Sequence, residues 1–228
     1  MNRLVALVVI SCALLTGCAT VNPMAINNKS AKVDTTSKSL VLMTIDISRA
    51  EKSRYEPKPF VIKFSKLHAQ GKDDQQNFRI NEDDDSVDEG DHTIYLVRMA
   101  LAPGQYTLDD IWGNAKAFPF VGMFSVPLFL NLTVKPNSIT YVGRVVATLR
   151  PRQGDEFSAG GLFPLIDQSV TGLSTGTWDV AIDDMSQKDI TLFRSNYPVL
   201  TGVSIENTLL PPFDRAAVQR LLVGTANK

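Results

Sequence analysis

"FSVPLFLNLTVKPNSITYVGRVVATL", residues 124–149, alternates with a period of two on both sides of a turn. Phe124, Val126, Leu128, Leu130, Leu132 and Val134 fall on even numbers, with Ser125, Asn131 and Thr133 between them. Successive strand side chains point to opposite faces, so this spacing gives one apolar and one mixed face. Lys135-Pro136-Asn137-Ser138 turns the chain, and Ile139, Tyr141, Val145, Ala147 and Leu149 form the next inward row. Two long strands joined by a four-residue turn set the fold class as mainly β.

The same period extends upstream. In "SLVLMTIDIS" (39–48), Val41, Met43, Ile45 and Ile47 alternate with Leu42, Thr44 and Asp46, as in a half-buried strand. "PFVIKFSKL" (59–67) is a second strand, and "TIYLVRMAL" (93–101) puts Tyr95, Val97, Met99 and Leu101 on one side. Pro103 and Gly104 then supply a turn, Pro through its preset φ and Gly through its tolerance of positive φ. "YTLDDIW" (106–112) continues as a strand, and later strands are expected at 161–166, 177–183 and 199–207. Two short helices close the chain. Ser186-Gln187-Lys188-Asp189 resembles a capping arrangement, with Ile190, Phe193 and Tyr197 on one face. Pro212 opens the other, with Phe213, Ala217 and Leu221 on one side and Gly224 as its stop. Short turns and no interleaved helices indicate an antiparallel sandwich or barrel, and the fold expected is a single antiparallel β-sandwich over residues 38–228, with one or two short C-terminal helices.

Within this pattern "RMALAPGQYTL" (98–108) resembles the strand–Pro-Gly–Tyr–strand stretch of prealbumin-like and other small β-sandwich domains of bacterial surface proteins. The resemblance implies an immunoglobulin-like or prealbumin-like sandwich and no particular activity.

At the start of the chain, Arg3 is the only charge before the uncharged run Leu4–Leu15. A charged start, a short apolar middle and small residues at the exit make a secretory signal. The run is too short for a membrane-spanning helix, which needs roughly 20 apolar residues. The exit would suit an ordinary signal peptidase. Leu15-Thr16-Gly17-Cys18, however, resembles the lipobox of bacterial lipoproteins. That resemblance implies removal of residues 1–17, a diacylglyceryl group on the Cys18 thiol and an acylated new amino terminus. One acyl chain, at about 0.8 kcal/mol per buried methylene, holds a protein only marginally, and two give stable attachment. Ala19 stands where Asp often retains such proteins in the inner membrane, so the resemblance favours the outer membrane, facing the periplasm. Residues 18–37 are polar and small, and predict a lipidated N-terminus followed by a flexible tether. With Cys12 removed and Cys18 acylated, the mature chain keeps no thiol for a disulfide. The formal net charge of −1 offers no basic face for nucleic acid.

No pattern for a catalytic residue, cofactor or metal is complete. "GLSTG" (172–176) matches the nucleophile elbow of α/β-hydrolases, but the triad histidine should follow the serine, and His68 and His92 both precede it. A turn between strands explains it more simply. "NEDDDSVDEGD" (81–91) offers hard oxygen ligands for calcium, and His68 and His92 suggest a transition metal, yet the spacing fits neither an EF-hand loop nor a histidine pair. Residues 66–92 are expected as a solvated loop extended by like charges. Asp109-Asp110 and Asp183-Asp184 are adjacent strand residues, which should point to opposite faces and so not form a paired-carboxylate site. The most unusual stretch is apolar: Ala117–Val134 carries no charge and holds four of the eleven phenylalanines. It reads as a buried strand preceded by a loop over the end of the sandwich. Its 117–124 part, "AFPFVGMF", is the candidate surface for a protein or apolar-ligand partner. The expected role is therefore non-enzymatic binding or envelope organisation by a lipid-anchored domain. An envelope hydrolase using carboxylates and a calcium-dependent adhesion module stand as alternatives.

Overall fold

A computed structural model describes residues 21–67, 74–161 and 169–226. The signal segment, the lipobox with Cys18, His68 and most of the strand expected at 161–166 lie outside the described residues. The chain folds as a β-sandwich of two sheets. The first has the order β1 (Val21–Asn22), β4 (Gln75–Arg79), β3 (Pro57–Lys66), β7 (Gly104–Ala117), β8 (Phe120–Val134). The second runs β10 (Gly176–Asp183), β9 (Ile139–Pro151), β2 (Ser39–Arg49), β6 (His92–Leu101), β5 (Ser86–Glu89), with β11 (Glu206–Asn207) also on β9. The expected strands at 41–47, 59–67, 93–101, 106–112, 124–134, 139–149 and 177–183 are all present.

Three features differ from a plain antiparallel sandwich. First, the sheets are mixed: β2 lies parallel to β9, and β1 parallel to β4. Turn 135–138 carries the chain from β8 into β9 of the other sheet, so the two long strands do not pair. Second, β2 is buried on both faces rather than one. Val41, Met43 and Ile45 face the core between the sheets, while Leu40 and Leu42 join Leu96, Tyr141, Phe193 and Leu200 on the far side. Helix α2 (Ser186–Asn196) and the N-terminal segment, through Ile26, cover that second face. Third, β7 and β8 form a hairpin of 14 and 15 residues, interrupted by a bulge between Leu108 and Asp110.

Trp178 of β10 ties the sheets together. It is fully buried, donates from Nε1 to the Ser125 carbonyl of β8 at 2.9 Å, and packs on Phe124 with centroids 5.1 Å apart. Gly113 lies opposite Phe124 in β7, and a Cβ there would stand 2.1 Å from the Phe124 ring and 2.3 Å from the Lys58 carbonyl. Only glycine leaves room for that ring.

Helical details depart from expectation for local reasons. Helix α2 starts at Ser186, but no side chain caps it from Ser186; Asp184 accepts the Ser186 amide at 3.0 Å, and Asp189 turns inward instead. Pro211, Pro212 and Phe213 stay outside the last helix, α3 (Arg215–Ala226). Asp214 accepts the Ala217 amide at 2.9 Å in the manner of an N-cap, so Val218 and Leu222 face the protein and Leu221 is exposed. The helix runs past Gly224. Over 199–207, Pro198–Leu200 is a 3₁₀ turn and only Glu206–Asn207 is strand.

Candidate functional sites

The hairpin β7–β8 ends in a two-residue turn, with Ala117 opposite Phe120 and Lys116 opposite Val121. Phe118 and Pro119 form the tip, and the bond between them is cis. The alternation that buries Phe124 and Gly122 turns Val121 and Met123 outward. Phe118 is 95 % exposed, Val121 49 % and Met123 39 %, whereas Phe120 packs partly against the core. Thr171, next to exposed Val170, closes over Gly122, where a Cβ would meet its hydroxyl at 2.3 Å. The 117–124 segment is thus an apolar point at the end of a long paired hairpin, and its one fully exposed large side chain is Phe118. Hydrophobic side chains grouped at a surface mark a contact more readily than scattered ones.

A second feature lies on the outer face of the same sheet. Against β3, Leu108 pairs with Phe64 and Asp110 with Lys63, so Asp109 is the extra residue of a bulge and both acids point outward between inward-facing Leu108 and Ile111. Adjacent residues were expected on opposite faces; the extra residue of a bulge cancels one alternation and corrects that expectation. The two carboxylates share a depression of about 380 Å³ with Lys63, Ser65, Gln75 and Asn77. Ser65 donates to Asp109 at 2.5 Å, and the Lys63 ammonium stands 3.8 Å from Asp110 Oδ1 and 4.0 Å from the Trp112 ring. Burial pushes both carboxyl pKa values up, and for Asp109 the neighbouring Asp110 adds to the rise.

The segment expected as a solvated loop, 66–92, is ordered structure where it is described: β4 pairs with β3, and 81–91 follows it. Helical turn α1 (Glu82–Asp85) leads into β5, and its acids are held by cations from elsewhere. Arg98, 1 % exposed, donates to Asp85 at 2.5 Å and to the Ile26 carbonyl at 2.9 Å, and stacks on Tyr197. Glu82 meets Lys58, and Glu89 meets Lys188 and Arg144. Like charges do not extend the chain here because each buried or half-buried acid has its own base. Among the described residues no group of three His, Cys, Asp or Glu side chains is placed to hold a metal ion. His92 is engaged with Asp46, its Nδ1 3.1 Å from Oδ1, which raises the imidazole pKa.

The remaining sequence candidates fall into structural places. Gly172–Gly176 is a turn entering a strand, the reverse of a strand-to-helix elbow, and Leu173 is fully buried. Asp184 accepts the Ser186 amide just ahead of α2 and holds Asn207, and Asp183 ends β10. The segment read as a tether is laid against the domain at its start. Val21 and Asn22 pair with Asn77 and Phe78, Ala25 donates to the Arg98 carbonyl at 2.8 Å, and Ile26 is buried. Its lone apolar residues, too sparse for periodicity, gave no sign of this. The basic partners Arg98 and Arg144 were equally unmarked, since each occupies an ordinary strand position.

Comparison of the chain with protein families, curated proteins and solved structures finds no match. No helix among the described residues is long and apolar enough to cross a membrane.

Proposed function

We propose that this protein is an acyl-anchored envelope domain that works by binding, through the tip of the β7–β8 hairpin, rather than by catalysis. Lipidation at Cys18 rests on the lipobox resemblance and on the absence of charge in the run before it. The observation that carries the binding role is the 95 % exposure of Phe118 at the end of the β7–β8 hairpin, near exposed Val121 and Met123. An aromatic ring held in water costs free energy unless another surface covers it. Metabolic labelling with an alkyne fatty acid tests the anchor. Label should be incorporated into the wild-type chain and be lost in Cys18→Ser, with the variant leaving the membrane fraction or accumulating as precursor. An unlabelled, normally cleaved and membrane-retained wild-type chain would refute it.

A second reading, an envelope hydrolase using carboxylates, is favoured by one observation, the shared depression of Asp109 and Asp110. Acid–base hydrolysis of a glycoside needs two carboxyls within reach of one bond, one of them protonated. Turnover of a panel of chromogenic glycosides, lost in Asp109→Asn and Asp110→Asn, would establish it. Absence of turnover would leave binding as the role.

A further inference from the structure

Where β2 ends and the chain loops through residues 50–56, the surface holds a depression of about 600 Å³ that shares no residue with the hairpin tip or with the Asp109–Asp110 depression. Buried Tyr55 positions two of its cations. The Tyr55 carbonyl accepts from Arg49 Nη1 at 3.0 Å. The Tyr55 hydroxyl accepts from Arg54 Nη2 at 2.7 Å, and the Arg54 guanidinium stands 4.9 Å from the ring centre. Arg49 Nη1 also donates to the Thr171 carbonyl at 3.0 Å. Gly172 lies against the same guanidinium, where a Cβ would stand 2.9 Å from Nη2. The first glycine of the 172–176 turn thus leaves room for the Arg49 fork. Lys52 supplies a third cation to the depression.

These charges lack counter-ions of their own. Arg49 is half-buried, yet its hydrogen bonds go to neutral carbonyls, and burial lowers its pKa. A cation withdrawn from water without an acid in contact is costly to keep. Arg98, Arg144, Arg150 and Arg215 each hold a carboxylate, whereas among the described residues none of Arg49, Lys52 and Arg54 forms an ion pair. The acids nearby do not change this. Asp91 stands 3.5 Å from His92 Nε2, and Glu51 and Glu56 are exposed and pair with none of the three.

We propose that this depression binds the phosphate group of a small phosphorylated ligand, with the Arg49 fork as its main contact and Lys52 and Arg54 around it. A phosphate monoester carries up to two charges and three free oxygens about one centre, so cations from several side chains suit it better than they suit a carboxylate. Ser53 Oγ accepts the Tyr55 amide at 3.2 Å, which leaves its hydroxyl hydrogen for a ligand oxygen. The volume falls in the range of small-molecule sites, roughly 300–1,000 Å³, and leaves room for the group that bears the phosphate. A soluble phosphate ester and a phosphomonoester lipid headgroup share this chemistry. The assignment depends neither on the acyl anchor nor on the hairpin tip.

Isothermal titration of the full chain in non-ionic detergent, at constant ionic strength, tests this. The probes are inorganic phosphate, glycerol 3-phosphate and dihexanoyl phosphatidic acid below its micelle concentration. At least one should bind saturably. Arg49→Lys keeps the charge but loses the fork, and should weaken that binding about tenfold. Lys52→Gln and Arg54→Gln change exposed side chains on which folding does not rest, and each should weaken it several-fold, while Lys38→Gln, exposed elsewhere, should leave it unchanged. Tighter binding of the phosphatidic acid than of glycerol 3-phosphate would assign a lipid headgroup, and equal or weaker binding a soluble ester. No saturation with any probe at millimolar concentration, or an affinity indifferent to Lys52→Gln and Arg54→Gln, would overturn the proposal.

Discussion

Asp189 of α2 is fully buried against Arg144 of β9, joined through Arg144 Nη2 and, at 3.2 Å, through Nε. Tyr141 donates to the same carboxylate at 2.6 Å, and Thr44 donates to it from β2. One helical acid therefore satisfies groups on two parallel strands and fixes α2 over the outer face of the second sheet. Removing one partner from such a pair leaves an uncompensated buried charge, which typically costs about 3–5 kcal/mol. Asp189→Ala should lower the unfolding free energy by that order, read by chemical denaturation. Ser186→Ala, which removes no cap, should change it by less than about 0.5 kcal/mol, although loss of a capping serine would cost ~1 kcal/mol.

The hairpin tip predicts a contrast between neighbours. Phe118→Asp replaces a ring in water and should shift stability by no more than about 0.5 kcal/mol. Phe120→Asp places a charge where the ring packs on the core, and should destabilise by roughly 1–3 kcal/mol. Thermal and urea denaturation of the two variants checks this; equal effects would mean the tip is folded back on the domain.

His92 makes stability depend on pH in a stated direction. Its folded pKa is raised, first by the hydrogen bond to Asp46 and then by that carboxylate's charge. A raised folded pKa contributes stability that is complete below the unfolded value near 6.5 and is lost as pH rises through the folded value. His92→Gln should flatten the pH dependence between the two values, and its proton resonance should titrate above 6.5. The ring is 44 % exposed, so the effect is small.

Asp110 has the opposite sense. Burial raises its folded pKa, and among the described residues Oδ1 is buried with no hydrogen-bond partner, Lys63 standing 3.8 Å away. The charged form is therefore disfavoured by folding, and stability falls as pH rises from the unfolded value near 3.9 through the folded one. Asp110→Asn should raise the denaturation midpoint at pH 7 and leave it nearly unchanged below pH 4. A lower midpoint at pH 7 would show that Lys63, at 3.8 Å, outweighs the burial.

Strand positions were legible because alternation is a local property. Val41, Met43, Leu128 and Ala147 declare an inward face within a few residues of themselves, and that face is where they lie. The same locality misled at Asp109-Asp110, because a bulge depends on the register of β7 against β3 and not on either strand alone. It also misled at 81–91, where a run of like charges in sequence is separated by cations from β3, β6, β9 and α2.

By itself the sequence determined the longer strands β2, β3 and β6 to β10 and that the 117–124 stretch is uncharged, since these follow from side-chain period and polarity. Only the tertiary structure decided that β2 lies between β6 and β9 with both faces covered, that Asp189 and Asp85 are buried with arginines, and that Phe118 stands in water while Phe124 does not. Those outcomes depend on which strands meet and in what register, and pairing between distant segments is written in no single stretch of the chain.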